Sequence, residues 1–128
     1  MVMMKPKPKP HTIAVNIPPY GRMKIVGEKG DDALSVLQRN WPKLWPKVRS
    51  SVKSQLKCMC KDYEIPVRFK GMKWMAAAGR LDPDVFMGDK ADSFLEIQLE
   101  GSPVSEEADP VWDFFIKGTK IVHWQPSY

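Results

Sequence analysis

This chain of 128 residues has little of several features that mark specialised classes of protein. Its two cysteines are too few and too close in sequence for a disulfide scaffold, which favours a reducing, cytoplasmic setting. No run approaches the roughly 18 apolar residues of a membrane span, and no apolar signal-peptide core follows the basic start. No segment matches a nucleotide-binding, zinc-binding, hydrolase or kinase motif, so no cofactor is expected.

Candidate catalytic and metal-binding residues are also sparse. His11 and His123 are the two histidines, and no serine or cysteine lies at a spacing that pairs it with either. On a helix, Cys58 and Cys60 point about 200° apart and cannot share a metal ion, so we expect one at the edge of the core and the other on the surface. The acidic residues at positions 82–96 lack the ligand spacing of a calcium loop. The sequence therefore favours a protein that is not an enzyme and holds no metal.

Charge is distributed unevenly along the chain. The formal net charge is +5, but residues 1–80 contain 17 basic and 5 acidic residues, whereas residues 81–128 contain 3 basic and 10 acidic residues. Such an imbalance indicates either a basic surface that binds an anionic partner or two halves that neutralise each other in the fold. Composition leaves both interpretations open, including one in which the acidic loop at 82–96 lies against the basic part of the chain.

The first ten residues differ in composition from the rest. Lysine and proline alternate in residues 5–10, and proline fixes φ and cannot donate a backbone hydrogen bond. We therefore expect residues 1–10 to form a disordered tail and residues 11–128 to form a single domain.

Alternation of apolar and polar residues predicts most of the strands. Turn residues separate the first two strands, and Gly118 supplies the tight turn of a terminal hairpin. A weaker pattern predicts one strand in the middle of the chain, followed by an acidic loop. The predicted strands cover residues 11–17, 22–26, 71–77, 94–100, 111–116 and 120–124.

Between residues 31 and 63, apolar residues recur at helical spacing after a capping aspartate. At about 100° per residue, ten of them fall within one third of the helix circumference and form its core side. Pro42 and Pro46 are damaging inside a helix, so we predict a break or kink at residues 40–46 and a long helix that starts near Pro46. The ten core residues are Leu34, Leu37, Trp41, Leu44, Trp45, Val48, Val52, Leu56, Met59 and Tyr63.

Seven cations lie on the opposite side of the same helix, with no acidic residue among them. Together they create a potential that attracts phosphate or an acidic protein surface, which makes them the strongest candidate binding site in the sequence. Trp41 and Trp45 fall on the apolar side, where core packing accounts for them. We call the seven residues the basic face: Arg39, Lys43, Lys47, Arg49, Lys53, Lys57 and Lys61.

A second candidate surface lies near the end of the chain. His123, Trp124 and Tyr128 combine aromatic and polar groups on and beyond the last predicted strand. Residues of this kind often anchor protein interfaces, because a large apolar ring carries a polar tip. We therefore predict a protein contact at these three residues.

The predicted elements form an α+β fold in which a mainly antiparallel sheet packs against one long amphipathic helix. Their order is β-β-α-β-β-β, with one extra strand if the weakly predicted segment at 71–77 also pairs in the sheet. In element order this layout resembles cystatin-like folds and several small bacterial immunity-type domains. The resemblance implies the fold and assigns no site residues.

Three functions remain open on this sequence. The leading hypothesis is a non-catalytic interaction module whose surface charge recognises another macromolecule, expected to be a protein; an immunity-type protein is its narrower form. The alternative is a nucleic-acid-associated protein that binds phosphates through the basic face and loses affinity steeply as salt rises. A third is an enzyme or small-ligand carrier with a pocket between helix and sheet, which the apolar inner faces disfavour.

Overall fold

A computed structural model describes residues 11–28, 32–62, 64, 73–100 and 110–127. The predicted tail at 1–10 lies outside these residues, as do Tyr63 and Tyr128. Within the described residues the chain forms six strands and one helix, and the additional strand makes the order β-β-α-β-β-β-β. The elements are β1 (His11–Asn16), β2 (Arg22–Gly27), α1 (Asp32–Asp62), β3 (Lys73–Arg80), β4 (Ser93–Glu100), β5 (Val111–Lys117) and β6 (Lys120–Ser127).

The six strands form one sheet in which spatial order follows chain order, from β1 to β6. Four neighbouring pairs are antiparallel, and β2 and β3 are parallel, because α1 returns the chain to the starting end of the sheet. The parallel register covers two residue pairs, whereas the β1–β2 register covers six and the β3–β4 register covers eight. The β2–β3 junction is therefore the least extensively paired part of the sheet.

Side chains on the two sheet faces differ in character. Across the middle of the sheet, one paired row runs through Ile13, Ile25, Ala76, Ile97 and Trp112. These residues belong to the face that packs with α1 around the hydrophobic core. The adjacent row on the outer face is mostly polar, as expected for a mainly antiparallel sheet with one face turned to solvent. Its members are Thr12, Val26, Ala77, Glu96, Asp113 and Gln125.

The helix α1 is continuous through both prolines, so the predicted break and the predicted start near Pro46 are wrong. Each proline removes one helical hydrogen bond, from the carbonyl groups of Gln38 and Pro42, but these residues are exposed, where water can replace the bond. Trp41 and Trp45, which precede the prolines, are buried against the sheet. Tertiary packing of these side chains outweighs the local preference against helix.

An aromatic cluster joins the start of the sheet to the middle of α1. Trp41 stacks on Trp45 with ring centroids 5.8 Å apart, and Trp45 meets Trp74 edge-on at 5.4 Å. Tyr20, from the turn after β1, stacks on Trp74 at 5.1 Å. The cluster therefore connects the β1–β2 turn, the helix and β3 through offset and edge contacts that favour aromatic packing.

The predicted core side of the helix is confirmed for the described residues, since eight of its ten residues are buried and Met59 packs against them at the margin.

The middle strand extends to Arg80, beyond its predicted end, because its alanines pair with β4 and Ala78 faces the core. The terminal hairpin turns at Gly118, whose φ of 61° suits a glycine at the first position of a type II′ turn.

Candidate functional site

Most cations of the basic face lie on the side of α1 that turns away from the sheet. Arg39, Lys43, Lys47, Lys57 and Lys61 are exposed, while Arg49 and Lys53 are partly buried. At a rise of roughly 1.5 Å per residue, positions 39–61 span roughly 33 Å of helix. Residues 33–61 contain no acidic residue, so no intrahelical ion pair reduces the positive potential along this length.

Two of these cations also support the fold. The ammonium group of Lys47 donates a hydrogen bond to the carbonyl oxygen of Thr119 in the β5–β6 turn, at 3.1 Å. The guanidinium group of Arg49 donates to the carbonyl oxygen of Pro18 at 3.4 Å, beside the Trp45 indole, which donates to the same oxygen at 3.0 Å. Lys47 and Arg49 therefore anchor turns at opposite edges of the sheet, whereas Arg39, Lys43 and Lys57 extend into solvent.

The acidic loop does not lie along the basic face. In residues 82–92, the Phe86 ring packs edge-on against Phe115 and His123 on the outer face of the sheet, with centroids 5.5 and 5.8 Å apart. The loop ends at Asp92, whose backbone N–H donates to the carbonyl oxygen of Ile116. This end lies beside the first turns of α1, before Arg39, and shares a small cavity with Asp32. Within the described residues, the loop therefore contacts the outer face of the sheet and the start of α1.

Of the three residues predicted as a terminal interface, the two that the structure describes lie on opposite faces of the sheet. His123 lies on the outer face opposite Phe115, and its ring nitrogen Nε2 is 3.3 Å from the Gln125 side-chain oxygen. Trp124 lies on the inner face, where it stacks on Phe114 at 6.3 Å and contributes to the core. Tyr128 lies outside the described residues. Alternation along β6 therefore places His123 and Trp124 on opposite faces.

A groove at the β2–β3 junction was not predicted from the sequence. It has a volume of about 730 Å³ and opens where the parallel pairing is absent, between the starts of the two strands. Arg22, Lys24 and Lys73 line it and are exposed. The sequence places Arg22 and Lys24 on one strand face by their spacing, but Lys73 joins them only through the parallel register.

A second groove, of about 510 Å³, lies where edge strand β1 meets α1. Its lining includes Pro42, Pro46 and both helix tryptophans, whose indole N–H groups donate to carbonyl oxygens of the β1 end and the following turn. The inner faces of helix and sheet are otherwise filled by a packed core. The enzyme or small-ligand carrier hypothesis requires a pocket between helix and sheet, whereas this groove lies at the edge of the core.

The cysteines occupy the predicted positions. Cys58 is exposed and Cys60 is buried. Burial raises the pKa of the Cys60 thiol, because it disfavours the charged thiolate. Across the described ranges, no group of three or more His, Cys, Asp and Glu side chains is arranged to hold a metal ion. In the same part of the chain, no helix is both long and apolar enough to cross a membrane.

Comparison with known proteins finds no matching family model, no matching curated protein and no matching solved structure. The resemblance to cystatin-like and immunity-type domains therefore rests on element order alone.

Proposed function

We propose that this protein is a non-catalytic interaction module that binds an acidic protein surface through the basic face of α1. The observation that carries the proposal is the uninterrupted run of seven cations and no acidic residue over positions 33–61. Charge of one sign along a rigid helix attracts an oppositely charged surface and orients its approach.

Rigidity supports the proposal because it keeps the cations in a fixed spatial pattern. The side of α1 that faces the sheet is fully buried at Leu34, Leu44, Val48, Val52 and Leu56. Cations on the opposite side are therefore presented by a helix whose position the core determines. A preorganised surface loses less conformational entropy on binding than a flexible basic segment would.

An acidic protein is favoured over single-stranded nucleic acid by the position of the aromatic rings. Proteins that bind single strands combine cations with exposed rings on which bases stack. On α1, both tryptophans are buried and make hydrogen bonds to backbone carbonyl groups. The solvent side instead carries lysines, which interact as point charges and suit carboxylate groups as well as phosphates.

Fluorescence anisotropy with two labelled probes tests the proposal. The probes are a short polyglutamate peptide and a single-stranded oligonucleotide of similar charge, each titrated across a salt series. We expect the peptide to bind at low salt and to dissociate as salt rises, because surface charges are screened within about 10 Å at 0.1 M salt. Preferential binding of the oligonucleotide would replace the proposed partner with nucleic acid.

Matched charge reversals locate the binding surface. The variant Arg39→Glu/Lys43→Glu/Lys57→Glu changes three exposed residues of α1, while Arg22→Glu/Lys24→Glu/Lys73→Glu makes the same charge change at the outer sheet face. We expect the first variant to lose peptide binding and the second to retain most of it. Equal loss in both would indicate a response to net charge, and a folded wild-type protein that binds neither probe would refute the proposal.

A further inference from the structure

The β2–β3 groove lies on the opposite side of the sheet from α1 and has features of a ligand site in its own right. Its volume of about 730 Å³ falls within the range of roughly 300–1,000 Å³ typical of small-molecule pockets. The groove exists because β2 and β3 pair only at Ile25 and Val26 with Ala76 and Ala77. Before those pairs the strands are not joined, which leaves an opening in the sheet.

Cations dominate the wall of this groove. Arg22 and Lys24 alternate on the outer face of β2, where their cross-strand neighbours on β1 are the uncharged Asn16 and Ala14. Lys73 begins β3 and faces Glu100 on β4. Among the described residues of the lining, three cations outnumber one carboxylate, Glu96. The groove therefore has a positive potential at the β2 side.

The base of the groove is apolar. Val26 is 40% exposed although it is a large hydrophobic residue, and Met75 and Ala77 lie beside it in the lining. Tyr20 and Trp74, stacked at 5.1 Å, close the groove toward the core. An apolar base with cations on one side suits a ligand that is itself divided into an apolar body and an anionic head.

Glu96 makes the charge on the β4 side of the groove opposite to that on the β2 side. Its neighbours across the strands are Ala77 and Asp113, so two carboxylates lie side by side on the outer face. Like charges in directly opposite positions destabilise a sheet, and they repel an anion from the β4–β5 side. An anionic head is thereby directed toward Arg22 and Lys24, with the apolar body over Val26 and Met75.

We propose that the β2–β3 groove binds an amphipathic organic anion, one that carries a carboxylate or phosphate head on an apolar body. This site is independent of the basic face, because it lies on the other side of the sheet and uses different cations. Binding combines burial of the apolar body with charge-assisted hydrogen bonds to Arg22, Lys24 and Lys73.

The test uses two fluorescent dyes of nearly the same shape. 8-Anilino-1-naphthalenesulfonate carries an anionic group, and N-phenyl-1-naphthylamine is its neutral counterpart. In the wild-type protein we expect the anionic dye to bind at least tenfold more tightly. Equal binding of the two dyes would overturn the proposal, because it would reflect apolar surface without recognition of charge.

Matched variants assign the dye to the groove. The variant Arg22→Gln/Lys24→Gln/Lys73→Gln is expected to weaken binding of the anionic dye at least tenfold and that of the neutral dye less than twofold. The control Lys90→Gln/Lys117→Gln/Lys120→Gln removes the same charge from exposed positions outside both the groove and the basic face, and is expected to change either affinity less than twofold. Retained anion binding in the groove variant, or an equal loss in the control, would contradict the proposal.

Circular dichroism and thermal melting establish that each variant is folded. Should the triple variant fail to fold, Lys24→Gln alone changes one exposed side chain and is expected to weaken anion binding at least threefold.

Displacement of the dye by octanoate, octyl phosphate and octanol compares a carboxylate, a phosphate and an uncharged head group on the same apolar chain. Competition by either anion supports the site and identifies the preferred head, whereas equally effective competition by octanol would refute it.

Discussion

The indole nitrogen of Trp41 donates a hydrogen bond to the carbonyl oxygen of Asn16, 25 residues earlier, at 2.7 Å. This bond joins the middle of α1 to the last residue of edge strand β1. Four residues later, Trp45 makes the equivalent bond to Pro18 at 3.0 Å. One helix turn thus fixes the end of β1 and the turn that leads to β2, and so positions Arg22 and Lys24 at the groove.

Replacement of Trp41 tests this connection. Trp41→Phe keeps an aromatic ring but leaves the Asn16 carbonyl group without its donor, so we expect a loss of about 1–3 kcal/mol in the free energy of unfolding. Trp112→Phe is the matched control, since its buried indole N–H has no hydrogen-bond partner in the described residues. Urea denaturation should show a smaller loss for Trp112→Phe; the reverse order would contradict the role assigned to the Trp41 bond.

Proline at position 42 provides a second prediction. Pro42→Ala restores the N–H that can bond to the Gln38 carbonyl group, and alanine favours helix more than proline does. Without the proline ring the unfolded chain has more conformational entropy, which offsets part of the gain in folding stability. We therefore expect the free energy of unfolding to rise by about 1–2 kcal/mol. Lys43→Ala, at the adjacent exposed site, should change stability by less than about 0.5 kcal/mol. A destabilised Pro42→Ala variant would show that the ring makes a packing contribution larger than the missing bond.

Burial of Cys60 predicts a dependence of stability on pH. Its pKa is raised in the folded protein, so the unfolded chain loses the thiol proton first as the pH rises above about 8.5. The free energy of unfolding therefore decreases above this pH, by at most about 1.4 kcal/mol per pH unit from this group.

Comparison of variants isolates the Cys60 contribution from other groups that titrate at alkaline pH. Urea denaturation between pH 7.5 and 10 should show a shallower decrease for Cys60→Ala than for the wild type. Cys58→Ala, which removes the exposed thiol, should keep the wild-type slope. The same slope in all three proteins would show that Cys60 ionises equally readily in the folded and unfolded states.

The acidic loop depends on a close approach at Gly88. A Cβ atom at this position would collide with the carbonyl oxygen of Asp82, which accepts a hydrogen bond from the Val85 N–H. Gly88→Ala should therefore displace the loop and cost about 1–3 kcal/mol. The adjacent exposed substitution Asp89→Ala should cost less than about 0.5 kcal/mol. Equal stability of both variants by urea denaturation would indicate that the loop adapts without strain.

Much of the fold could be predicted from periodicity. The alternation of Ile13 and Val15, and of Leu95, Ile97 and Leu99, placed these residues correctly in the core. The predicted helix break at Pro42 and Pro46 was wrong for a definite reason. Local helix propensity includes the missing N–H and the steric clash of proline, but it does not include the packing of Trp41 and Trp45 that holds the helix against the sheet. The prediction of one interface at His123 and Trp124 had a different fault, because adjacent residues of a strand point to opposite faces of the sheet and this alternation was not applied to β6.

By itself, the sequence determined the α+β class and the apolar side of α1, because both follow from repeats within single elements. Only the tertiary structure decided that the acidic loop packs on the outer sheet face, and that Lys73 meets Arg22 and Lys24 at a groove. Lys73 lies about 50 positions along the chain from Arg22 and Lys24. The loop residue Phe86 lies more than 20 positions from the residues that it contacts on the sheet. Both relationships depend on strand order, parallel register and the closure of long loops, which local spacing does not encode.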